Sequence, residues 1–271
     1  MSKRKILVLA PSLCMVAILA VGGTLAYFTD TDQATNTFTV GNVTIDLIEQ
    51  ERGTDNDGNA ALVDFTQNKK LYPIVGSAQG TKDAFGQPTA ENYVDKIVTI
   101  KNTGSEDAYI RAFFAIPSAL DDGYDTFNAG LNVLHFNFGN KKVGDTWQST
   151  YQNEWIWKQA NGKWNYFETT MDGIAYNVYF ADYYTAVTAG ATTEQFVQGV
   201  YLDKSFDYAN GKYYAFGSEL TLDQGWNWNS VKCPVYAIAV QAAGFDSADA
   251  AITEAFGAQF NPWGGAVTNW Q

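Results

Sequence analysis

The chain has 271 residues, 46% of them hydrophobic and 15% aromatic, with 17 Lys plus Arg against 29 Asp plus Glu and a formal net charge of −12. An acidic balance of this size argues against nucleic acid as a partner, because neutralising phosphates takes clustered cations. Two cysteines and a single histidine exclude a dense disulfide framework and any site built on paired imidazoles.

The first elements form an export signal. Lys3-Arg4-Lys5 precedes an apolar run over residues 6–21, and Gly22-Gly23-Thr24-Leu25-Ala26-Tyr27-Phe28 follows it. Cations stay on the cytoplasmic side, the apolar run enters the membrane, and the small residues Thr24 and Ala26 fit a peptidase pocket, so cleavage is expected before Tyr27. An uncleaved anchor needs about 20 apolar residues in a row, whereas Pro11 and the glycine pair leave only residues 13–21 uninterrupted. Cys14 follows Pro11-Ser12-Leu13 and lacks the small residues that precede a lipid-modified cysteine. Residues 1–26 therefore read as a signal peptide that touches the membrane transiently, and residues 27–271 as one domain working outside it. Cleavage removes three basic residues and no acidic one, which leaves 14 Lys plus Arg against 29 Asp plus Glu, a net charge of −15. Only Cys233 remains, so the fold must rest on its core and not on an intrachain disulfide.

Strands follow almost throughout. Val43, Ile45 and Leu47 alternate with polar neighbours, the period of a strand with one buried face. Residues 110–116 differ: Ile110, Phe114 and Ile116 point one way and Tyr109, Phe113 and Ala115 the other, which predicts a central strand covered on both faces. Leu134, Phe136 and Phe138 line one side of the next strand. Trp155-Ile156-Trp157 and Trp164-Asn165-Tyr166-Phe167 flank Asn161-Gly162, and Asn210-Gly211 separates Phe206-Asp207-Tyr208 from Tyr213-Tyr214. Asn-Gly takes positive φ at both turn positions, so both read as tight hairpins. Ile174, Tyr176, Val178 and Phe180 continue the sheet, and Tyr236, Ile238 and Val240 complete it. One helix is expected over residues 248–255, capped by Asp246 or Ser247, with Ile252 and Phe256 on one face and Gly257 as its stop. The sum is an all-β fold, an antiparallel two-sheet sandwich with one short C-terminal helix.

Catalytic constellations are hard to assemble. With His135 as the lone imidazole there is no His-Glu-x-x-His zinc motif, and a Gly-x-Ser-x-Gly nucleophile elbow is missing as well. Cys233, followed by Pro234 and an apolar strand, reads as a buried inert thiol. Asp121-Asp122, Glu106-Asp107 and Asp30 with Asp32 sit in turn-like contexts, and 29 acidic residues make chance pairs common. Asp55, Asp57 and Asn59 place oxygens at alternate positions like the first half of a calcium loop. Ala60 stands where that loop needs glycine and Thr66 where it needs a bidentate glutamate, so a solvated turn is the simpler reading. No cofactor is expected. Trp147, Trp155, Trp157, Trp164, Trp226 and Trp228 serve either as cross-strand core pairs or as a platform for stacking on sugar rings.

The segment Gly22-Gly23-Thr24-Leu25-Ala26-Tyr27-Phe28-Thr29-Asp30-Thr31-Asp32, with Asn36-Thr37-Phe38-Thr39-Val40-Gly41-Asn42-Val43 after it, resembles the start of the TasA/camelysin family of bacterial surface and biofilm-matrix proteins. Lys101-Asn102-Thr103-Gly104-Ser105 leading to Tyr109-Ile110-Arg111 is similar to a strand, turn and strand of that family, and Val240-Gln241-Ala242-Ala243-Gly244-Phe245 is a weaker match. The resemblance implies a jelly-roll-like sandwich, processing by a SipW-type signal peptidase, and polymerisation by strand donation. On the residues themselves, the tail 27–40 is polar with apolar Phe28, Phe38 and Val40, suited to adding as a strand to a neighbour's sheet edge or to folding back onto its own. The expected function is a secreted structural subunit of the cell surface or matrix that self-associates or joins matrix proteins. The alternatives are a glycan-binding adhesin, a non-polymerising accessory protein, or a camelysin-like metallopeptidase, for which no catalytic residue can be assigned.

Overall fold

The computed structural model describes residues 29–33, 36–38, 43–123, 131–160, 163–222, 226, 228, 231–265 and 267. In chain order the strands are β1 (Thr29–Gln33), β2 (Asn36–Phe38), β3 (Ile45–Thr54), β4 (Ala60–Asp64), β5 (Val94–Asp95), β6 (Ile97–Asn102), β7 (Ala108–Pro117), β8 (Leu134–Phe138), β9 (Asn140–Val143) and β10 (Thr146–Ser149). There follow β11 (Trp155–Trp157), β12 (Gln159–Ala160), β13 (Lys163–Trp164), β14 (Tyr166–Met171), β15 (Ile174–Tyr183), β16 (Val197–Leu202), β17 (Asp207–Ala209), β18 (Lys212–Ala215), β19 (Ser218–Glu219), β20 (Val235–Gln241) and the helix α1 (Ala248–Phe256).

One layer is an antiparallel sheet in the order β11-β15-β7-β20-β1-β2, with β14 also paired to β15. The facing layer holds β4-β3-β6 and β5-β16-β8. Backbone bonds join these two groups: the Phe196 N–H donates to the Val98 carbonyl at 2.8 Å and the Thr193 N–H to the Ile100 carbonyl at 2.8 Å. Val43, Ile45, Val98, Ile100, Ile110, Phe114 and Ile116 pack between the layers.

A second core covers the other face of the larger sheet, where Phe113, Ala115, Tyr176, Val178, Phe180, Tyr236, Ile238 and Val240 meet Ala248, Ala251 and Ile252 of α1. The double apolar alternation of β7 thus has its cause: even-numbered residues serve the sandwich and odd-numbered ones serve the helix. The Ser247 Oγ caps α1 by accepting the Ala250 N–H at 3.2 Å, and Gly257 ends the helix at φ 88°. Among the described residues α1 is the one α-helix, and no helix there is long and apolar enough to cross a membrane.

Asn210-Gly211 turns at φ 54° and 77° between β17 and β18, the left-handed pair that the motif requires. The other expected hairpin, whose Asn161-Gly162 turn lies outside the described residues, is much shorter than its flanks. Only Gln159 and Ala160 pair with Trp164 and Lys163, while Trp155–Trp157 and Tyr166–Met171 both attach to one side of β15. A ten-residue strand buried along most of its length offers more burial than a free-standing hairpin does.

Candidate functional site

The edge beyond β20 is the place where the fold and the candidate donor segment meet. β20 reads Val-Tyr-Ala-Ile-Ala-Val-Gln and is buried at six of its seven positions. Its bulky residues Tyr236, Ile238 and Val240 face the helix, and Ala237 and Ala239 face the sandwich core. One side of β20 pairs with β7 over seven residues, from Val235 opposite Phe114 to Gln241 opposite Ala108. The other side pairs with β1 over five, from Thr29 opposite Val240 to Gln33 opposite Tyr236.

β1 is therefore the chain's own cover for a strand of central quality. Its sequence, Thr-Asp-Thr-Asp-Gln, contains no apolar residue. β1 pairs with β20 through backbone hydrogen bonds, each worth about 1 kcal/mol net. Outside β1 lies β2, in which Phe38 stands opposite Thr31. Of the three apolar donor candidates, Phe38 alone falls on a described strand; Phe28 and Val40, like the cleavage residues Thr24, Ala26 and Tyr27, lie outside the described residues.

The calcium-like motif forms a hairpin turn between β3 and β4. The Asp55 carboxylate accepts the backbone N–H of Asp57 at 2.9 Å and of Asn59 at 2.8 Å, and the Asn59 amide donates to it at 3.3 Å. These bonds hold the acid below its ordinary value, the Asn59 backbone bond foremost. The Asp55 carboxylate is thus spent on the turn's own amides, those of Asp57 and Asn59, and among the described residues no three His, Cys, Asp or Glu side chains gather as metal ligands.

Three of the six tryptophans are core residues. Trp155, Trp157 and Trp164 are buried, and Trp157 stacks on Phe196 with centroids 4.7 Å apart. Trp147 lies over Gly86, where a Cβ would come within 2.6 Å of the indole. Trp226 and Trp228 pack together against the sandwich core, with Trp228 edge-on to Phe206 at 4.9 Å. Cys233 is half-buried, with its thiol desolvated and pushed up to about 12.

His135 on β8 stacks on Tyr201 of β16 at 4.9 Å and 7°, and its Nε2 lies 3.4 Å from Asp203 Oδ2. Burial lowers the imidazole pKa against the opposing pull of Asp203. Arg111 on β7 is buried between Asp182, at 2.6 Å and 3.0 Å, and Asp249 of α1, at 2.8 Å, while Lys158 bridges the same two carboxylates at 3.0 Å and 2.7 Å. That network ties the helix to the sheet. Arg52 is likewise neutralised, by Asp95 at 2.7 Å and Asp83 at 3.0 Å, in a shallow pocket beside Lys69 and Lys70.

Asp121 departs from its sequence reading. It is buried just past the end of β7, where the Tyr179 hydroxyl donates to its Oδ2 at 2.7 Å and the Asn177 amide at 2.8 Å, and among the described residues no Lys or Arg pairs with it. Desolvation raises its pKa to about 6 despite those two bonds. The Asp121-Asp122 doublet signals a turn, and the partners that bury the first of the pair come from β15, 56 and 58 residues away. No family model, curated protein or solved structure matches the chain.

Proposed function

We propose that the chain is a secreted structural subunit of a bacterial cell surface or biofilm matrix, a TasA-like protein that assembles by donating its N-terminal strand to a neighbouring copy. The observation that carries this reading is the mismatch at the sheet edge. A strand buried at six of its seven positions, β20, is covered by a five-residue strand whose sequence holds no apolar residue. Exchanging that cover between copies keeps the same backbone bonds, so it costs little beyond ordering the partners. A head-to-tail contact of this kind does not close on itself and repeats into a filament. Acidity and an aromatic-rich core without disulfides suit a soluble subunit that persists outside the cell.

The test is a reversible lock in the chain that starts at Tyr27. Asp30 and Ala239 stand opposite one another in the register of β1 and β20, so Asp30→Cys with Ala239→Cys allows a disulfide that holds the segment in its own sheet. Electron microscopy and size-exclusion chromatography should find monomers when the pair is oxidised and filaments once it is reduced. Filaments from the oxidised protein, or monomers from the reduced and the unmodified chains alike, refute strand donation.

A further inference from the structure

We propose that Tyr208 and Tyr213 are an oxidative coupling site, where hydrogen peroxide acting through a haem peroxidase joins the two rings of one chain into dityrosine. The inference is independent of strand donation and rests on the small sheet β17-β18-β19.

The sequence itself supplies the juxtaposition. Asn210-Gly211 is a two-residue turn, so Tyr208, two residues before it, and Tyr213, two residues after it, stand directly opposite across β17 and β18. In such a hairpin the pair flanking the turn is hydrogen-bonded and the next pair is not, and the side chains of a non-bonded pair approach more closely. The two ring centroids are 4.7 Å apart with 42° between the planes. The ring edges are therefore in van der Waals contact, and the fast rotamer hops of exposed side chains bring the carbons beside the two phenolic oxygens together.

Access and surroundings single this pair out. Tyr208 is 58% exposed and Tyr213 is half-buried, so both rings are open to an oxidant in solution. The other close tyrosine pairs among the described residues are Tyr93 with Tyr201 at 6.1 Å, Tyr166 with Tyr179 at 5.4 Å and Tyr183 with Tyr184 at 5.2 Å, and each includes a buried ring. Phe206 stacks on Tyr213 at 5.8 Å and 18°, and with Trp228 it holds Tyr213 to the sandwich core while Tyr208 stays at the surface. Behind Tyr213 runs a line of indoles, Trp228 at 5.1 Å and Trp226 a further 5.2 Å away. An oxidised indole recovers its electron from a phenol that loses its proton in the same step, so oxidation anywhere in this cluster ends on the two tyrosines.

The chemistry balances with one peroxide. Each phenol loses one electron and its hydroxyl proton, which leaves unpaired density on the ring carbon next to the oxygen. Those two carbons bond, and the hydrogen on each then moves to its oxygen and restores the ring. The protein gives up two hydrogens in all, and the peroxide is reduced to two waters. The new bond closes the β17–β18 hairpin covalently in a chain whose described residues hold no disulfide.

Trypsin cuts after Lys204 and Lys212 and so places the two rings on separate peptides. After treatment with hydrogen peroxide and a haem peroxidase, the peptide that begins at Ser205 should be joined to the one that begins at Tyr213. The joined pair should be lighter than the sum by two hydrogens and carry the blue fluorescence of dityrosine. In an equal mixture of unlabelled and isotope-labelled chains these pairs should be wholly light or wholly heavy, as a bond within one hairpin requires. Tyr208→Phe and Tyr213→Phe keep the ring packing and should each abolish the pair, whereas Tyr214→Phe, on the opposite face of β18, should keep it. Oxidation of the unmodified protein without the joined pair, or pairs that mix light and heavy peptides, overturns the assignment. So does a pair that persists in Tyr208→Phe or Tyr213→Phe, or one lost in Tyr214→Phe.

Discussion

Replacing Asp121 by Asn should stabilise the protein at neutral pH and leave it unchanged in acid. The carboxyl is buried with no cationic partner among the described residues, and burial raises its pKa from 3.8 to about 6. Since the folded state binds the proton more tightly than the unfolded one, stability falls as pH rises through that window and stays low above it. A shift of this size is worth about 3 kcal/mol, at about 1.4 kcal/mol per pH unit. The amide keeps an oxygen for the Tyr179 hydroxyl and the Asn177 amide, so both side-chain bonds to Oδ2 survive the substitution. Urea unfolding of both proteins between about pH 4 and 8 isolates the group, because titrations common to the two cancel in the difference. The gap should open from near zero at the acid end to about 3 kcal/mol above pH 6, or about 6 to 12 °C in Tm. A gap independent of pH, or a variant less stable than the parent at pH 8, refutes the reasoning.

Two further predictions test other parts of the fold. Arg111→Leu should cost about 3 kcal/mol, at the lower end for breaking a buried pair, because Lys158 stays 3.0 Å from the stranded Asp182. Denaturant unfolding measures this, and a loss under about 1 kcal/mol, the range of exposed pairs such as Lys212 with Glu219, contradicts the buried-network account. Cys233, its thiol pushed up to about 12, should resist a thiol reagent at neutral pH until the protein unfolds; rapid labelling of the native protein contradicts its burial.

Much of the fold is legible because the relevant forces are local. Residues 110–116 are apolar on both sides, and β7 is covered on both. Ser247 and Gly257 carry their capping roles in their own chemistry, and Asn210-Gly211 its left-handed turn. The Asp55 motif is a turn because its oxygens lie within bonding reach of amides two and four residues on.

Other features depend on which distant strands become neighbours. Strand alternation puts Trp155 and Trp157 on one face without saying that this face is the core; the pairing with β15 decides it. Asp121 reads as a solvated turn residue and is buried by β15, and His135 meets Asp203 only through the pairing of β8 with β16. The polar segment 29–33 carries no burial signal that selects a neighbour, and its place beside β20 is a matter of tertiary register. Periodicity, capping and turn chemistry are properties of a few adjacent residues and could be read directly. Register between strands is a cooperative result of the whole core, and it alone brought these particular side chains together.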